Sequence, residues 1–290
     1  MRLCKMRAYG IPVFDIGGNV FTTISDQEFG YFQRFIYQAA GITLTPAKKA
    51  LVCGRLSKRL QARKVSSYAE YFKLLSSGQE PAEVQMAVDL LTTNETYFFR
   101  EPKHFELLRT QAVQARGSGK PFRVWSAACS SGEEVYSIAM VLADALDPYP
   151  WELIGSDLST RVLERARLGH YPTARTEHIP AAYLRRFCLK GTGPQDGTLL
   201  IDKTLRAKAK FIQANLNGTL PQLGSFDIVF LRNVMIYFNN ETKKQVVARV
   251  LSAVKPGGYL LIGHSESLND VTQDVLHVAP SVYRKPGGEA

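Results

Sequence analysis

Four apolar runs in the second half of the chain end in polar or small residues suited to binding a ligand. The first, PFRVWSAAC, passes into SSGEE: small residues let the backbone approach a ligand, and Gly132 can take a positive φ before a helix. Glu133 and Glu134 fall in that helix's first turn, where they repel phosphate and favour a ligand bearing positive charge or hydroxyls. They would equally complement the helix dipole with no ligand, and both readings stand. The second run ends in GSDLS, with Asp157 about 25 residues after the glycine turn, where a carboxylate can accept both hydroxyls of a ribose. Asp157 could instead cap the next helix, a role for which Ser159 competes. The third run ends at Asn215 and Leu216, the fourth at Arg232 and Asn233. In an open α/β sheet the ligand lies outside the carboxyl ends of the strands, so these four ends together describe an adenosine-type pocket on a Rossmann-like sheet.

Just before the first strand, LTTNETYFFRE gathers Asn94, Thr96, several aromatics and Arg100 in a run that could fold over such a pocket. An arginine there can pair with a carboxylate of a ligand or of a substrate. Tyr237 and Phe238, after the fourth strand, suit the core as well as a site. The GTGPQDG run at 191–197 precedes no helix and no GK[ST], so it reads as a hairpin turn and not as a phosphate cradle. The five histidines (His104, His170, His178, His264, His277) show neither HExxH nor paired spacing, and no metal is expected. GxGxxG and GxSxG are both missing, which argues against dinucleotide binding and serine hydrolysis.

These residues need elements to position them. From Ser25 to about residue 90 the apolar spacing is helical throughout, giving four helices: Ser25 to Gly41, one after Pro46, one ending at Gly78, and one from Pro81. Beyond TYFFRE, short apolar strands alternate with helices, the signature of a parallel sheet with crossovers, and SVYRK reads as an antiparallel edge. The rhythm breaks at about 172–208, a stretch too long and turn-rich for a simple crossover, read as an insertion carrying a helix and a small antiparallel hairpin. The expected organisation is a flexible extension over 1–23, a helical domain over 24–90 and an α/β domain over 91–290.

A length of 290 residues suits about two domains. Four scattered cysteines with no CxxC fit a reducing compartment, and no apolar run is long enough to span a bilayer, so a cytoplasmic protein without membrane insertion is expected. The formal net charge of +10 points to an anionic partner. Between Ala47 and Lys64 lie seven basic residues and no acidic one. At about 100° per residue Lys48, Arg55, Arg59 and Arg63 share an arc of roughly 80°, a cationic stripe that reads either as a solvated face or as a dock for an acidic partner.

From about Ile24 onward the chain resembles the CheR-type chemotaxis receptor methyltransferases. The runs that carry the resemblance are LTTNETYFFRE, RVWSAACSSGEEVYSIAM, GSDLS, RFCLKGTGPQDG, FDIVFLRNVMIYF and KPGGYLLIGHSES, all in the family's order. The resemblance implies a small all-helical N-terminal domain, then a class I Rossmann-like domain dependent on S-adenosylmethionine (SAM), with a small antiparallel β-subdomain inserted. It implies cofactor contacts at Asn94, Thr96, Arg100, Glu134, Asp157, Asn215, Leu216, Arg232 and Asn233, with Asp157 on the ribose and Glu134 near the cationic amino-acid end. It gives Arg100 and Tyr237 to the orientation of the acceptor. The reaction implied is methyl transfer to γ-carboxylates of receptor glutamates, with S-adenosylhomocysteine as product. The basic helix would dock on the acidic methylation helices of a chemoreceptor, and the β-subdomain would capture a receptor's C-terminal tail by strand addition. A monomer is expected.

Two rival functions are weighed. A nucleic-acid methyltransferase would suit the charge, but RNVMIYF stands where an adenine-N6 enzyme carries [DN]PP[YF]. Against a SAM-binding signalling module that transfers nothing stand the intact Arg100, Asp157 and Tyr237 positions.

Overall fold

The computed structural model describes residues 23–287; the expected N-terminal extension lies almost wholly outside them, as do the last three residues. Helix α1 (Asp26–Ala40) opens on a capping box in which the Ser25 hydroxyl accepts from the Glu28 amide and the Glu28 carboxylate accepts from the Ser25 amide. It ends at Gly41 in the left-handed region. Helices α2 (Lys49–Arg63), α3 (Tyr68–Ser76) and α4 (Pro81–Leu91) pack against it around Phe32, Ile36, Val52, Leu56, Tyr68 and Tyr71, all fully buried. Truncating a side chain such as Phe32 to alanine there costs about 3–5 kcal/mol.

Helix α5 (Pro102–Gln114), which the strand-centred reading of the sequence passes over, leads into the sheet. Its strands are β1 (Phe122–Ser126), β2 (Trp151–Asp157), β6 (Ala209–Gln213), β7 (Phe226–Leu231), β8 (Val254–Ile262), β9 (Leu276–Ala279) and β10 (Val282–Arg284). The order across the sheet is β6-β2-β1-β7-β8-β10-β9. The first five are parallel, and the chain reverses its direction of travel between β1 and β7, which sets the switch-point crevice at their carboxyl ends. Helices α6 (Glu133–Leu146), α7 (Thr160–Leu168) and α10 (Asn240–Ser252) make the crossovers. SVYRK does run antiparallel, as β10, but the edge belongs to β9, whose four residues are all exposed.

The insertion forms a separate three-stranded antiparallel sheet, ordered β3-β5-β4 from β3 (His170–Pro172), β4 (Cys188–Lys190) and β5 (Thr198–Ile201), with α8 (Ala181–Phe187) and α9 (Lys203–Lys208) beside it. The 191–197 run is the β4–β5 turn; a Cβ at Gly191 would fall 1.9 Å from the Gln195 carbonyl oxygen, so the turn demands glycine there.

Helical and α/β domains are stitched together by polar contacts. Asp89 of α4 accepts from the Thr160 and Arg161 amides and the Thr160 hydroxyl, so α7 is capped from across the interface, and neither Ser159 nor Asp157 is its cap. Ile42 bridges Phe238, and the Thr43 amide donates to the Tyr237 carbonyl at 2.8 Å.

Candidate active site

A cavity opens at the switch point. Asn94, Thr96, Arg100, Glu134, Asp157, Asn215, Leu216, Arg232, Asn233 and Tyr237 all line it, ten sequence-selected residues drawn from five separate stretches of chain. Ala40 and Ile42 of the helical domain complete one wall. Their apolar types gave no signal, because only the folded interface places them there.

Asp157 ends β2 almost fully buried. Its Oδ2 accepts from the Ser130 amide at 2.8 Å and its Oδ1 from the Ser159 amide at 2.9 Å. Burial pushes its carboxyl above the ordinary aspartate range, while these amides pull the other way. With one amide on each oxygen, each oxygen keeps a lone pair, the arrangement a vicinal diol needs. Ser130 and Asn233, both in the cavity wall, sit at φ +49 and +57, and Phe99 at +52 and Glu101 at +61 flank Arg100. Left-handed backbone at a non-glycine residue costs of order 1–3 kcal/mol and persists where surrounding structure enforces it.

Glu134 stands in the first turn of α6. Its Oε1 accepts from the Ser126 hydroxyl and its Oε2 from Arg232 Nη1 at 2.9 Å. Arg232, buried, also donates to the Arg100 carbonyl at 2.6 Å and lies 3.1 Å from Glu101 Oε2. Its guanidinium is thereby committed to ordering the acidic floor of the cavity. The Asn215 amide donates to the Ala39 carbonyl and its oxygen accepts from the Asn217 amide, so this side chain ties the domains and forms wall. Glu101, His104 and His264 gather their ligand-type atoms within 4.8 Å, yet Arg232 already supplies the cation that balances Glu101. Burial pulls the His104 imidazole down to about 4, and Arg232 adds to that.

At the mouth, the Arg100 guanidinium lies over the Tyr97 ring at 5.5 Å and meets no carboxylate among the described residues. Tyr237 is half-buried and hydrogen-bonds Thr93; burial pushes its phenol up despite Thr93 and the charges of Arg55 and Arg100, so it stays neutral near pH 7. Glu266 holds this loop: its carboxylate accepts from the Asn233, Met235 and Gly263 amides, each at 2.8 Å. Its place in the HSES run signals nothing by residue type alone.

The cationic stripe differs from the sequence expectation. Arg59 makes a two-point pair with the buried Glu83 of α4, and Arg63 pairs with Glu80, the residue just before that helix. Against the upward pull of burial, Arg59 and the Tyr71 hydroxyl hold the Glu83 carboxyl below its ordinary range. Arg55 donates to the Leu91 and Thr92 carbonyls and the Thr93 hydroxyl, at the start of the active-site segment. Of the four, Lys48 alone is exposed. A wheel drawn on α2 by itself cannot see the glutamates at the start of α4 that turn toward it.

A parallel sheet with its crevice at the switch point, a buried carboxylate at a strand tip and an acidic floor make a ligand-binding crevice of the Rossmann-like class. The all-alpha domain of the CheR methyltransferases matches residues 27–92, and their SAM-binding domain matches 94–283. The chain is 40% identical to chemotaxis protein methyltransferase 2 of Pseudomonas aeruginosa over 94% of this chain and 96% of that one. It is 40% identical to the chemotaxis protein methyltransferase of Escherichia coli, covering 90% and 91%, and 32% identical to that of Borreliella burgdorferi, covering 92% and 97%. This chain belongs to the CheR methyltransferase family and is a SAM-dependent methyltransferase. The donor set fits that cofactor: Asp157 lines the crevice and would accept from ribose hydroxyls, and Glu134 would face the cationic amino-acid end. No helix among the described residues is long and apolar enough to cross a membrane.

Proposed function

We propose that the chain methylates glutamate side chains of chemoreceptor cytoplasmic domains, giving γ-methyl esters and S-adenosylhomocysteine. The observation that carries this is the Arg100 guanidinium, free of carboxylates at the mouth of a cavity lined by no histidine or lysine. A glutamate is already ionised near neutral pH and needs no general base. When bound, SAM supplies an electrophilic methyl on sulfur; an acceptor oxygen bonds to that carbon as the carbon–sulfur bond breaks, and no proton moves. Arg100 holds the acceptor carboxylate, Tyr237 donates its hydroxyl to it, and Asp157 and Glu134 fix the donor, so the rate comes from alignment.

Charge supports the docking half of this reading. Lys48, Lys58 and Lys64 of the α2 region are exposed, and Arg55, bonded only to neutral oxygens, keeps its positive charge at the start of the active-site segment. In the inserted sheet β4 is an edge strand and Leu189 is half exposed, features suited to adding a receptor tail as a further strand. The test is S-adenosylhomocysteine formation with equal concentrations of a receptor cytoplasmic fragment, duplex DNA or an unrelated acidic protein. Turnover with the receptor fragment alone is expected; equal turnover with DNA would overturn the proposal.

A further inference from the structure

The active-site segment that ends at Arg100 is gripped residue by residue from the inserted subdomain. Arg175, in the short turn after β3, donates to the Thr96 carbonyl at 3.0 Å. The same Nη2 stands 2.9 Å from Oε1 of Glu133, a fully buried carboxylate whose Oε1 has no hydrogen-bond partner. His178 packs its ring on Tyr97 at 5.0 Å, and Tyr97 in turn carries the Arg100 guanidinium on its face. Phe98 meets Tyr171 edge-on at 5.0 Å, and Phe99 meets Tyr183 at 5.8 Å. Phe99 and Glu101 flank Arg100 in left-handed backbone, so the segment stores strain that it would relieve if released.

We infer that Arg175 is a positioning residue for methyl transfer: bridging the buried Glu133 and the Thr96 carbonyl, it makes the inserted subdomain a structural part of the active site, and His178 fixes Arg100 through Tyr97. The subdomain then acts on the chemistry as well as on any tether. Charge and donor are both needed: the one nitrogen Nη2 meets Glu133 Oε1 and the Thr96 carbonyl together, which a methionine of similar length cannot do.

The full chain is made as Arg175→Met, Arg175→Lys, His178→Ala and the pair Arg175→Met with Glu133→Gln, which removes the buried charge that Arg175 balances. Hydrogen exchange is followed over 92–101, and SAM binding is measured by calorimetry. Exchange there is expected to rise at least about tenfold in Arg175→Met and in the double variant, with SAM affinity within about threefold, and to return toward wild type in Arg175→Lys. This arm needs no acceptor, so it stands apart from the receptor proposal on which the kinetic arm rests. With a tail-less receptor fragment, kcat is expected to fall about ten- to a hundredfold in Arg175→Met and in the double variant, with KM little changed, and several-fold in His178→Ala. Unchanged exchange in Arg175→Met, or full recovery of exchange and kcat in the double variant, would overturn the inference; the latter would mean that Arg175 only balances charge.

Discussion

Replacing Asp157 with asparagine isolates the contact on which cofactor binding is said to rest. The carboxylate accepts the Ser130 amide on one oxygen and the Ser159 amide on the other, and in the proposed complex its remaining lone pairs would take the ribose hydroxyls. Asparagine has one oxygen, so whichever way it turns, one of those amides faces an NH2 and one hydroxyl loses its charged acceptor. A hydrogen bond to a charged group contributes roughly 1.5–3 kcal/mol, and the surviving contact loses its charge assistance, about 1 kcal/mol more. The sum of about 2.5–4 kcal/mol is roughly a 60- to 1000-fold rise in Kd. Titration calorimetry with SAM and with S-adenosylhomocysteine measures it, and both should weaken alike, since the ribose is common to them. Acid gives the same group a second signature. Burial raises its carboxyl, so affinity should fall on acidification at a higher pH than an ordinary aspartate would impose. A Kd within threefold of wild type, with the fold intact, would refute the assignment.

Three further outcomes are expected. Asp89→Ala removes the interdomain cap of α7 and should destabilise the protein by about 0.5–2 kcal/mol, read by denaturant unfolding, with no change in sheet content by circular dichroism. His104 is held neutral in the fold, down at about 4 against an ordinary 6.5, so the unfolded chain binds its proton first as pH falls. Stability from this group is present above 6.5 and is lost toward 4, by at most about 3 kcal/mol; His104→Gln should flatten the dependence of Tm on pH across that window. Charge reversal at Lys48 and Lys58 together should raise KM for the receptor fragment several-fold and reduce its salt dependence, while SAM affinity stays put.

The cavity-lining edge was legible because the strands are short, apolar and followed by telling residues: Asp157 closes β2, Asn215 lies two residues past β6, and Glu134 stands in the first turn of the helix after β1. The helical domain was legible from spacing alone, its Phe29, Phe32 and Ile36 buried on one face. What stayed hidden depends on partners distant in sequence. Asp89 caps a helix 71 residues on, Glu80 and Glu83 neutralise half of a stripe that α2 displays by itself, and Arg175 reaches back 79 residues to Thr96. Helix α5 was masked by the aromatic run before it, although Pro102 at its first position is a start signal.

The most direct test incubates the enzyme with methyl-labelled SAM and a receptor cytoplasmic fragment, treats the modified fragment with mild base, and collects the volatile label. Label released as methanol, and its loss in Arg100→Ala while SAM still binds, is the result this account requires. Base-stable label on the receptor would contradict methyl ester formation, and undiminished transfer by Arg100→Ala would contradict the role given to the free guanidinium.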